Sequence, residues 1–243
     1  GDDPWGRWLE EQLRAAGVDT TDFVLERGGV TPVVLVTVSG RGEPDYTVYG
    51  STTGLGLVPA AERISRAVSQ AGLVLLTSNT LLGEQERRLT MGARAQALAE
   101  GKKVVVDANL RPNRWADAAE MRRETLALLE GAFLAKMNAH EAEVLTGESD
   151  PVRAAEALRG DVARNVVITS GDRGAVLRGE NGVSREVPSI PVVVRNAAGA
   201  GDAVTGVLLA RLAASGGYAP SLNVALPEAM EKAAAVVQRW GAT

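Results

Sequence analysis

The sequence predicts an α/β fold, in which a mostly parallel sheet is flanked by helices on both faces and carries a small β lid. From about residue 59 onward, short valine- and leucine-rich runs alternate with longer helical segments. This alternation is typical of βα units joined by right-handed crossovers. The short runs are mostly apolar, as expected of strands buried on both faces. Residues 32–49 depart from the rhythm, because turn residues separate two β-rich runs, and they predict the lid as a hairpin.

Local signals place the other elements in order along the chain. Asp3 as N-cap and Pro4 at the first helical position predict a first helix that ends at Gly17. Further helices are predicted at residues 59–71, 84–100, 117–130, 139–146, 151–159, 202–214 and 220–240. Strands are predicted at residues 73–77, 103–107, 133–136, 165–169 and 192–194, and a second hairpin at residues 175–187. No repeat or linker interrupts residues 1–243, which we take as one domain.

Composition excludes several classes of function. The chain has 243 residues, no cysteine and a single histidine, His140, so thiolate chemistry and multi-histidine metal sites are excluded. The formal charge is −4, and no basic excess points to nucleic acid. No apolar run approaches the roughly 20 residues that cross a bilayer, and the N-terminus is unlike a signal peptide. We therefore expect a cytoplasmic protein without a membrane or nucleic-acid partner.

The most informative segment is residues 197–203, which contains only small side chains apart from Asp202. Small residues let a ligand approach the backbone, and a helix N-terminus offers unpaired N–H groups and partial positive charge. The segment fits an anion hole for a phosphate, yet it matches neither a Walker P-loop nor a complete dinucleotide-binding fingerprint. The alternative is a tightly packed helix start, with Asp202 stabilised by the helix dipole.

Three other segments follow predicted strands, at the edge of the sheet where ligands bind. Asn138 and Glu141 are three residues apart at a helix start and could serve Mg²⁺, or they could be a cap and an exposed glutamate. Residues 107–111 alternate polar side chains that could enter one cleft, or form an Asx-type turn with a surface arginine. Residues 169–174 could lie along nucleotide phosphates, or simply turn the chain into the second hairpin.

Together these segments resemble the PfkB, or ribokinase-like, family of sugar kinases. The pattern Gly-Ala-Gly-Asp resembles the C-terminal signature of that family, and Asn-x-x-Glu resembles a second motif. An Asp-x-Asn-x-Arg stretch is similar to the fructokinase and ketodeoxygluconate-kinase branches. Five segments occur in the family's order over essentially the whole chain. They are residues 1–6, 107–111, 136–147, 169–175 and 199–206.

The resemblance implies a ribokinase-like fold and transfer of the ATP γ-phosphate to a hydroxyl of a small sugar, with a fructose-like hexose favoured. It implies Asp202 as the base, and the backbone around Gly199, Ala200 and Gly201 as the stabiliser of charge on the phosphoryl group. It also implies that the lid covers the sugar and forms a homodimer contact. The remaining implied site residues are Lys136, Ser170, Gly171 and Gly174 for the nucleotide, Asn109 and Arg111 for the substrate, and Asn138 and Glu141 for Mg²⁺.

The sequence departs from the family pattern in three places. Asn196-Ala197-Ala198 stands where the family has Asp-Thr-Thr, a region that contributes to its monovalent-cation site. Residue 1 falls inside the family pattern, so the 243 residues do not include the family's first strand and Gly-Gly sugar-binding segment. Gly50 stands where ketodeoxygluconate kinases often carry an arginine. The first two departures motivate a second hypothesis, a catalytically impaired nucleotide- or sugar-binding or regulatory protein on the kinase fold.

Overall fold

The structure is a computed structural model that describes residues 1–38, 44–50 and 57–240. Eight helices and eight strands lie in these ranges. The helices are α1 (Pro4–Ala15), α2 (Ala61–Gln70), α3 (Glu84–Ala99), α4 (Ala118–Leu129), α5 (Ala139–Thr146), α6 (Pro151–Leu158), α7 (Ala200–Ala214) and α8 (Ser221–Val236). The strands are β1 (Val33–Val38), β2 (Pro44–Tyr49), β3 (Leu73–Thr77), β4 (Lys103–Asp107), β5 (Ala132–Asn138), β6 (Ala163–Thr169), β7 (Ala175–Gly179) and β8 (Ser184–Val187).

Six of the strands form one sheet in the order β3-β4-β5-β6-β7-β8. The first four run parallel, and β7 and β8 continue the sheet as an antiparallel hairpin. Helices α2 to α6 pack on one face of the sheet, and α7 and α8 pack on the other. The predicted fold, a mostly parallel sheet with helices on both faces, is confirmed. Strand β5 lies in the middle of the sheet and is buried from Ala132 to Met137, which explains its unbroken apolar run.

The first hairpin lies outside this sheet. Strands β1 and β2 pair with each other as a separate antiparallel ribbon, as the sequence predicts. Val33, Val34 and Leu35 are all exposed, so the ribbon buries little apolar surface of its own. The predicted turn at residues 39–43 lies outside the described residues. Its assignment as a lid stays a prediction.

The edge of the main sheet at β3 carries exposed apolar surface. Leu75 is 47% exposed in the middle of this strand. An apolar groove of about 340 Å³ runs between β3 and helices α2 and α3, and its lining includes Ile64 and Leu89. An edge strand presents unpaired N–H and C=O groups along one side.

Asp3 joins the first helix to the chain that enters the hairpin. Its Oδ1 accepts hydrogen bonds from Gly6 N at 2.8 Å and from Thr31 Oγ1 at 2.8 Å, and its Oδ2 accepts one from Thr31 N at 2.7 Å. Hydrogen bonds from the Thr31 and Gly6 backbones lower the pKa of the Asp3 carboxyl to about 2. The predicted N-cap is confirmed, and it also holds the loop that leads into β1.

One predicted strand is wrong. Residues 192–194 form no strand, and α7 begins at Ala200, two residues before the predicted start. Pro191 has no N–H to give to a ladder, and Val193 is 79% exposed. The chain is instead held by Arg195 N and Asn196 N, which both donate to Val237 O. Apolar composition alone could not reveal that no neighbouring strand was available.

None of the helices in the described part of the chain is both long enough and apolar enough to span a bilayer.

Replacing Asp3 by alanine should lower the melting temperature and loosen the loop before β1, because three hydrogen bonds lose their acceptor. The depressed pKa means that the carboxylate stabilises the fold fully above its ordinary value of 3.8, and that this contribution is lost as pH falls towards about 2. The melting-temperature gap between wild type and Asp3→Ala should therefore shrink over that pH range. Asp2→Ala is the matched control, because its carboxylate only forms an exposed ion pair with Arg7. A gap that stays constant with pH would contradict the assignment.

Candidate active site

The carboxyl ends of the parallel strands bring the predicted segments to one edge of the sheet. Asp107 at the end of β4 is in register with Thr77 on one side and with Lys136 of β5 on the other. Asn138 at the end of β5 is in register with Thr169 of β6. Ligands of open parallel sheets bind beyond this edge. The register therefore places three of the four predicted segments side by side.

The fourth segment arrives at the N-terminus of α7. Gly199 is the N-cap residue and has a φ of 83°, a left-handed conformation that glycine adopts without a steric penalty. Before it, Asn196 Oδ1 accepts a hydrogen bond from Ala198 N at 2.9 Å, which closes an Asx-type turn. The side chain of Asp202 in the first turn is exposed, whereas Val204 beyond it is buried. The helix start thus carries one exposed carboxylate, and of its first amides Ala200 N donates to Ala197 O at 3.3 Å.

A buried ion pair connects this helix to the strand ends. Lys136 Nζ lies 3.1 Å from Asp107 Oδ2 and 3.3 Å from Oδ1. Thr205 Oγ1 of α7 lies 2.8 Å from Asp107 Oδ2 and 3.1 Å from Gly201 O. These three side chains are only 5–6% exposed. Asp107 therefore points inward and not into a cleft, contrary to the expectation that residues 107–111 alternate into one opening.

The ammonium group of Lys136 lies directly against Gly201. A Cβ atom built on Gly201 would stand 2.8 Å from Lys136 Nζ, which is closer than real Cβ contacts come. Glycine at this position therefore leaves room for the lysine head. Lys136, predicted to bind the nucleotide, is buried beneath the helix start, and its ammonium group is paired with Asp107.

Asn138 and Glu141 form a capping box at the start of α5. Asn138 Oδ1 accepts from Glu141 N at 2.9 Å, and Glu141 Oε2 accepts from Asn138 N at 2.8 Å. Glu141 Oε1 also accepts from Leu110 N at 2.8 Å. Desolvation by burial raises the pKa of the Glu141 carboxyl, while the Asn138 backbone and the Lys136 charge act in the opposite direction. The cap is present, but the glutamate is buried rather than exposed.

The Glu141 bond fixes the loop after β4, which contains the predicted substrate residues. Asn109 has a φ of 37°, an uncommon conformation for a residue with a side chain. Ser78 Oγ donates to Ala108 O on the near side of this residue, and Leu110 N is held on the far side. Arg111 Nη1 contacts Leu110 O at 3.0 Å, and its side chain is partly exposed. The strained backbone at Asn109 is thus held from both sides.

The loop after β6 divides its predicted residues between two roles. Ser170 N donates to Gly174 O at 2.7 Å, which closes the loop. Gly174 has a φ of 90° and packs so closely on Val187 O that no larger residue would fit. Gly171 is exposed and borders a cavity. The loop therefore makes the turn into β7 and also presents one glycine to open space.

That cavity, of about 310 Å³, opens beside the start of α7. Ala200 and Gly201 form one wall, and Gly171 and Asp172 form another. The opposite wall is apolar. Its residues are Ile190, Pro191, Val192, Val194, Met230, Ala233, Ala234 and Val237. An apolar slot beside a helix N-terminus has room for a flat ring at one end and for an anion at the other.

Sequence reasoning missed some of the residues that build this site. Thr205 and Ser78 make buried hydrogen bonds that fix the helix and the loop, and the signal for Thr205 is a hydroxyl within the otherwise apolar run of residues 203–210. The α8 wall of the cavity was also missed, because Met230 and Ala233 read as ordinary core residues. Ser170 and Gly174 are absent from the cavity wall, although both were predicted to bind the nucleotide.

Comparison with known proteins places this geometry in a family. The profile described as "pfkB family carbohydrate kinase" matches residues 1–243. The chain belongs to the pfkB family of carbohydrate kinases. Fructokinase-1 from Zea mays is 31% identical over 216 residues, which cover 87% of this chain and 66% of that protein. A 2-dehydro-3-deoxygluconokinase from Thermoproteus tenax is 32% identical over 216 residues, which cover 86% of this chain and 64% of the relative.

A solved structure supports the same pfkB assignment. Fructokinase from Vibrio cholerae O395, in its fructose, ADP and calcium ion bound form, is 26% identical with a TM-score of 0.79. The comparison covers 100% of this chain and 78% of that one. The chain spans about two thirds of the length of the two relatives compared by sequence. The resemblance that the five segments indicated is confirmed at the level of family and fold.

Within the described ranges, no group of three or more acidic, histidine or cysteine side chains could hold a metal ion.

Glu141→Gln should destabilise the protein, because one of the two buried N–H groups would then face an amide NH₂ instead of an oxygen. Leaving a buried donor unsatisfied costs about 1–3 kcal/mol, which denaturant unfolding would detect. Glu143→Gln on the exposed side of the same helix is the matched control and should change little. Equal stability of the two variants would show that Glu141 does not hold the loop.

Proposed function

We propose that this pfkB-family protein is an ATP-dependent kinase that phosphorylates a hydroxyl of a small sugar. The observation that carries the proposal is the start of α7, where exposed Asp202 and the amides of a glycine-rich turn stand beside an apolar cavity. The partial positive charge at a helix N-terminus stabilises a carboxylate placed there, and the surrounding amides favour an anion. The site thus offers an acceptor for a proton and a place for a phosphoryl group at one point.

The cavity is the proposed nucleotide site. Its apolar wall from α8 would take the adenine ring, and Gly171 and Gly201 would let the phosphates approach the backbone. The ADP in the Vibrio cholerae fructokinase structure supports a nucleotide in this fold. Ser170 and Gly174 support this site indirectly, because the hydrogen bond from Ser170 N to Gly174 O closes the loop that carries Gly171.

Asn109 and Arg111 are the proposed sugar-binding residues. They lie on the loop that Glu141 and Ser78 hold beyond β4. A backbone held in an uncommon conformation is typical of a ligand-binding position. Fructokinase names among the relatives, and fructose in the related structure, support a fructose-like hexose.

The proposed reaction moves the γ-phosphoryl group in line from ATP to the sugar and leaves ADP. The oxygen of the sugar hydroxyl bonds to the γ-phosphorus, and the bond between that phosphorus and the ADP oxygen breaks. Asp202 accepts the proton that the hydroxyl loses. The amides around Gly199, Ala200 and Gly201 stabilise negative charge on the phosphoryl oxygens. Positioning and charge neutralisation do most of the work in this chemistry, and both depend on the start of α7 being fixed.

Asn138 and Glu141 would support Mg²⁺ only through water. Asn138 Oδ1 and both carboxylate oxygens of Glu141 already accept backbone N–H groups, so direct ligation would compete with the capping box. Mg²⁺ keeps several of its waters, which fits such an outer contact. When bound with ATP, the ion neutralises phosphate charge.

A second candidate is a binding or regulatory protein on the kinase fold. It is favoured by Asn196-Ala197-Ala198, which lacks the carboxylate and hydroxyls expected there, and by the use of Asn196 in an Asx-type turn. Calorimetry with ATP·Mg²⁺ and a sugar panel, followed by an ADP-release assay, separates the two. Binding without turnover supports the second candidate, and turnover rejects it. The cytoplasmic location and a homodimer through the lid stay predictions.

Asp202→Asn should abolish most activity, because the amide cannot accept the hydroxyl proton. Loss of a general base typically lowers kcat by about 10²–10⁴-fold. Sugar-dependent ADP release measures the effect, with Asp161→Asn as a control at an exposed turn elsewhere. Turnover by Asp202→Asn within a few-fold of wild type would rule out the proposed base.

Ala234→Leu should weaken ATP binding, because three added carbon atoms would enter the proposed adenine slot. Overfilling a packed site typically costs about 1–3 kcal/mol, which corresponds to roughly 5- to 160-fold in affinity. Ala235→Leu is the matched control, since the neighbouring side chain on α8 is exposed and does not line the cavity. Equal ATP dissociation constants for the two variants, measured by calorimetry, would place the nucleotide elsewhere.

A further inference from the structure

The proposed kinase mechanism assigns no role to the buried polar residues at the ends of β4 and β5. Asp107 and Lys136 form an ion pair, and Thr205 of α7 joins it through a 2.8 Å hydrogen bond. Burying two opposite charges is costly, and an apolar pair of similar size often serves stability as well or better. A buried pair at the edge of a ligand cavity therefore calls for a reason beyond stability.

The geometry points to the start of α7. Thr205 lies one turn after Gly201, and its hydroxyl reaches both Asp107 and the Gly201 carbonyl. Lys136 Nζ fills the space that a side chain on Gly201 would need. Asp107 therefore holds the start of α7 from below through Thr205, and Lys136 packs against it at Gly201.

The charge of Lys136 acts at the same place. Its ammonium group lies beneath Gly201, next to the amides that face the cavity, so it adds positive potential to the end of the helix. Asp107 keeps that cation in place and is itself held by Thr205. The arrangement is a fixed dipole whose positive end lies under the backbone where the phosphoryl group would develop negative charge.

We infer that Lys136 is a positioning residue for phosphoryl transfer, which acts through Gly201 and the first turn of α7 and is itself oriented by Asp107 and Thr205. The inference rests on the proposed kinase function. It predicts an effect on kcat more than on the KM for the sugar. The loop that carries Asn109 and Arg111 keeps two other anchors. Ala108 N donates to the backbone carbonyl of Lys136, and Leu110 N donates to Glu141.

The decisive variant is Lys136→Met combined with Asp107→Leu, which removes both buried charges. Lys136→Met alone leaves Asp107 uncompensated and should lower the melting temperature, whereas the double variant should regain most of it. Thr205 keeps Gly201 O as an acceptor in that variant. With stability restored, kcat should stay at least about tenfold below wild type, because small misplacements of reacting groups cost 10- to 100-fold. The KM for the sugar should stay within about threefold.

Two controls separate positioning from loss of stability. Leu158→Ala in α6 opens a buried site far from these residues and should lower the melting temperature with kcat unchanged. Thr205→Val should lower kcat because it cannot donate to Asp107, and Thr205→Ser should restore it. A double variant that keeps kcat within twofold of wild type would overturn the inference and leave the kinase proposal standing.

Wild-type protein without turnover on any sugar would instead count against the kinase proposal. The positioning role is then measured by the affinity for Mg·ADP, using calorimetry on wild type and the double variant. A loss of fivefold or more in the stable double variant supports the role, and an unchanged affinity overturns it. A wild-type protein that neither turns over nor binds Mg·ADP would overturn both proposals.

Discussion

The contact between Asp107 and Lys136 constrains the geometry of the whole site. Both side chains are almost fully buried, so neither charge can turn to water, and each depends on the other for its partner. The pair joins the ends of β4 and β5, and Thr205 ties α7 to Asp107. The helix start that carries Asp202 is thereby tied to the sheet as well as to the loop that precedes it.

Small residues at the start of α7 meet two separate requirements. Gly199 is needed for its left-handed backbone, which ends the incoming loop and opens the helix. Gly201 has an ordinary helical conformation, and the absence of a side chain there leaves room for the head of Lys136. A sequence pattern of alternating glycines therefore combines a backbone requirement at one position with a packing requirement at another.

The order of strands and helices could be predicted from the sequence because buried parallel strands have unbroken apolar runs and the helices have clear caps such as Asp3 and Asn138. The exposure of Asp202 also agrees with the expectation for an anion site. Two features could not be predicted. The apolar run at residues 192–194 looks like a strand, yet pairing depends on a neighbour that a local pattern does not show. Asp107 turns inward because its partners, Lys136 and Thr205, are distant in sequence.

Glu141 shows why assigning one role to a motif residue can be too simple. Its carboxylate caps α5 and accepts a hydrogen bond from Leu110 N, so its contacts within the protein are structural. Burial favours the neutral form, while the nearby lysine and N–H donors favour the charged form. Because both of its oxygens already accept backbone N–H groups, Glu141 can affect the charge of a phosphate only through water and through that backbone. The same reasoning applies to Asn196, whose amide shapes the turn before Gly199 without a carboxylate. In both places the side chain first fixes the backbone, and the fixed backbone then forms the surface that a ligand meets.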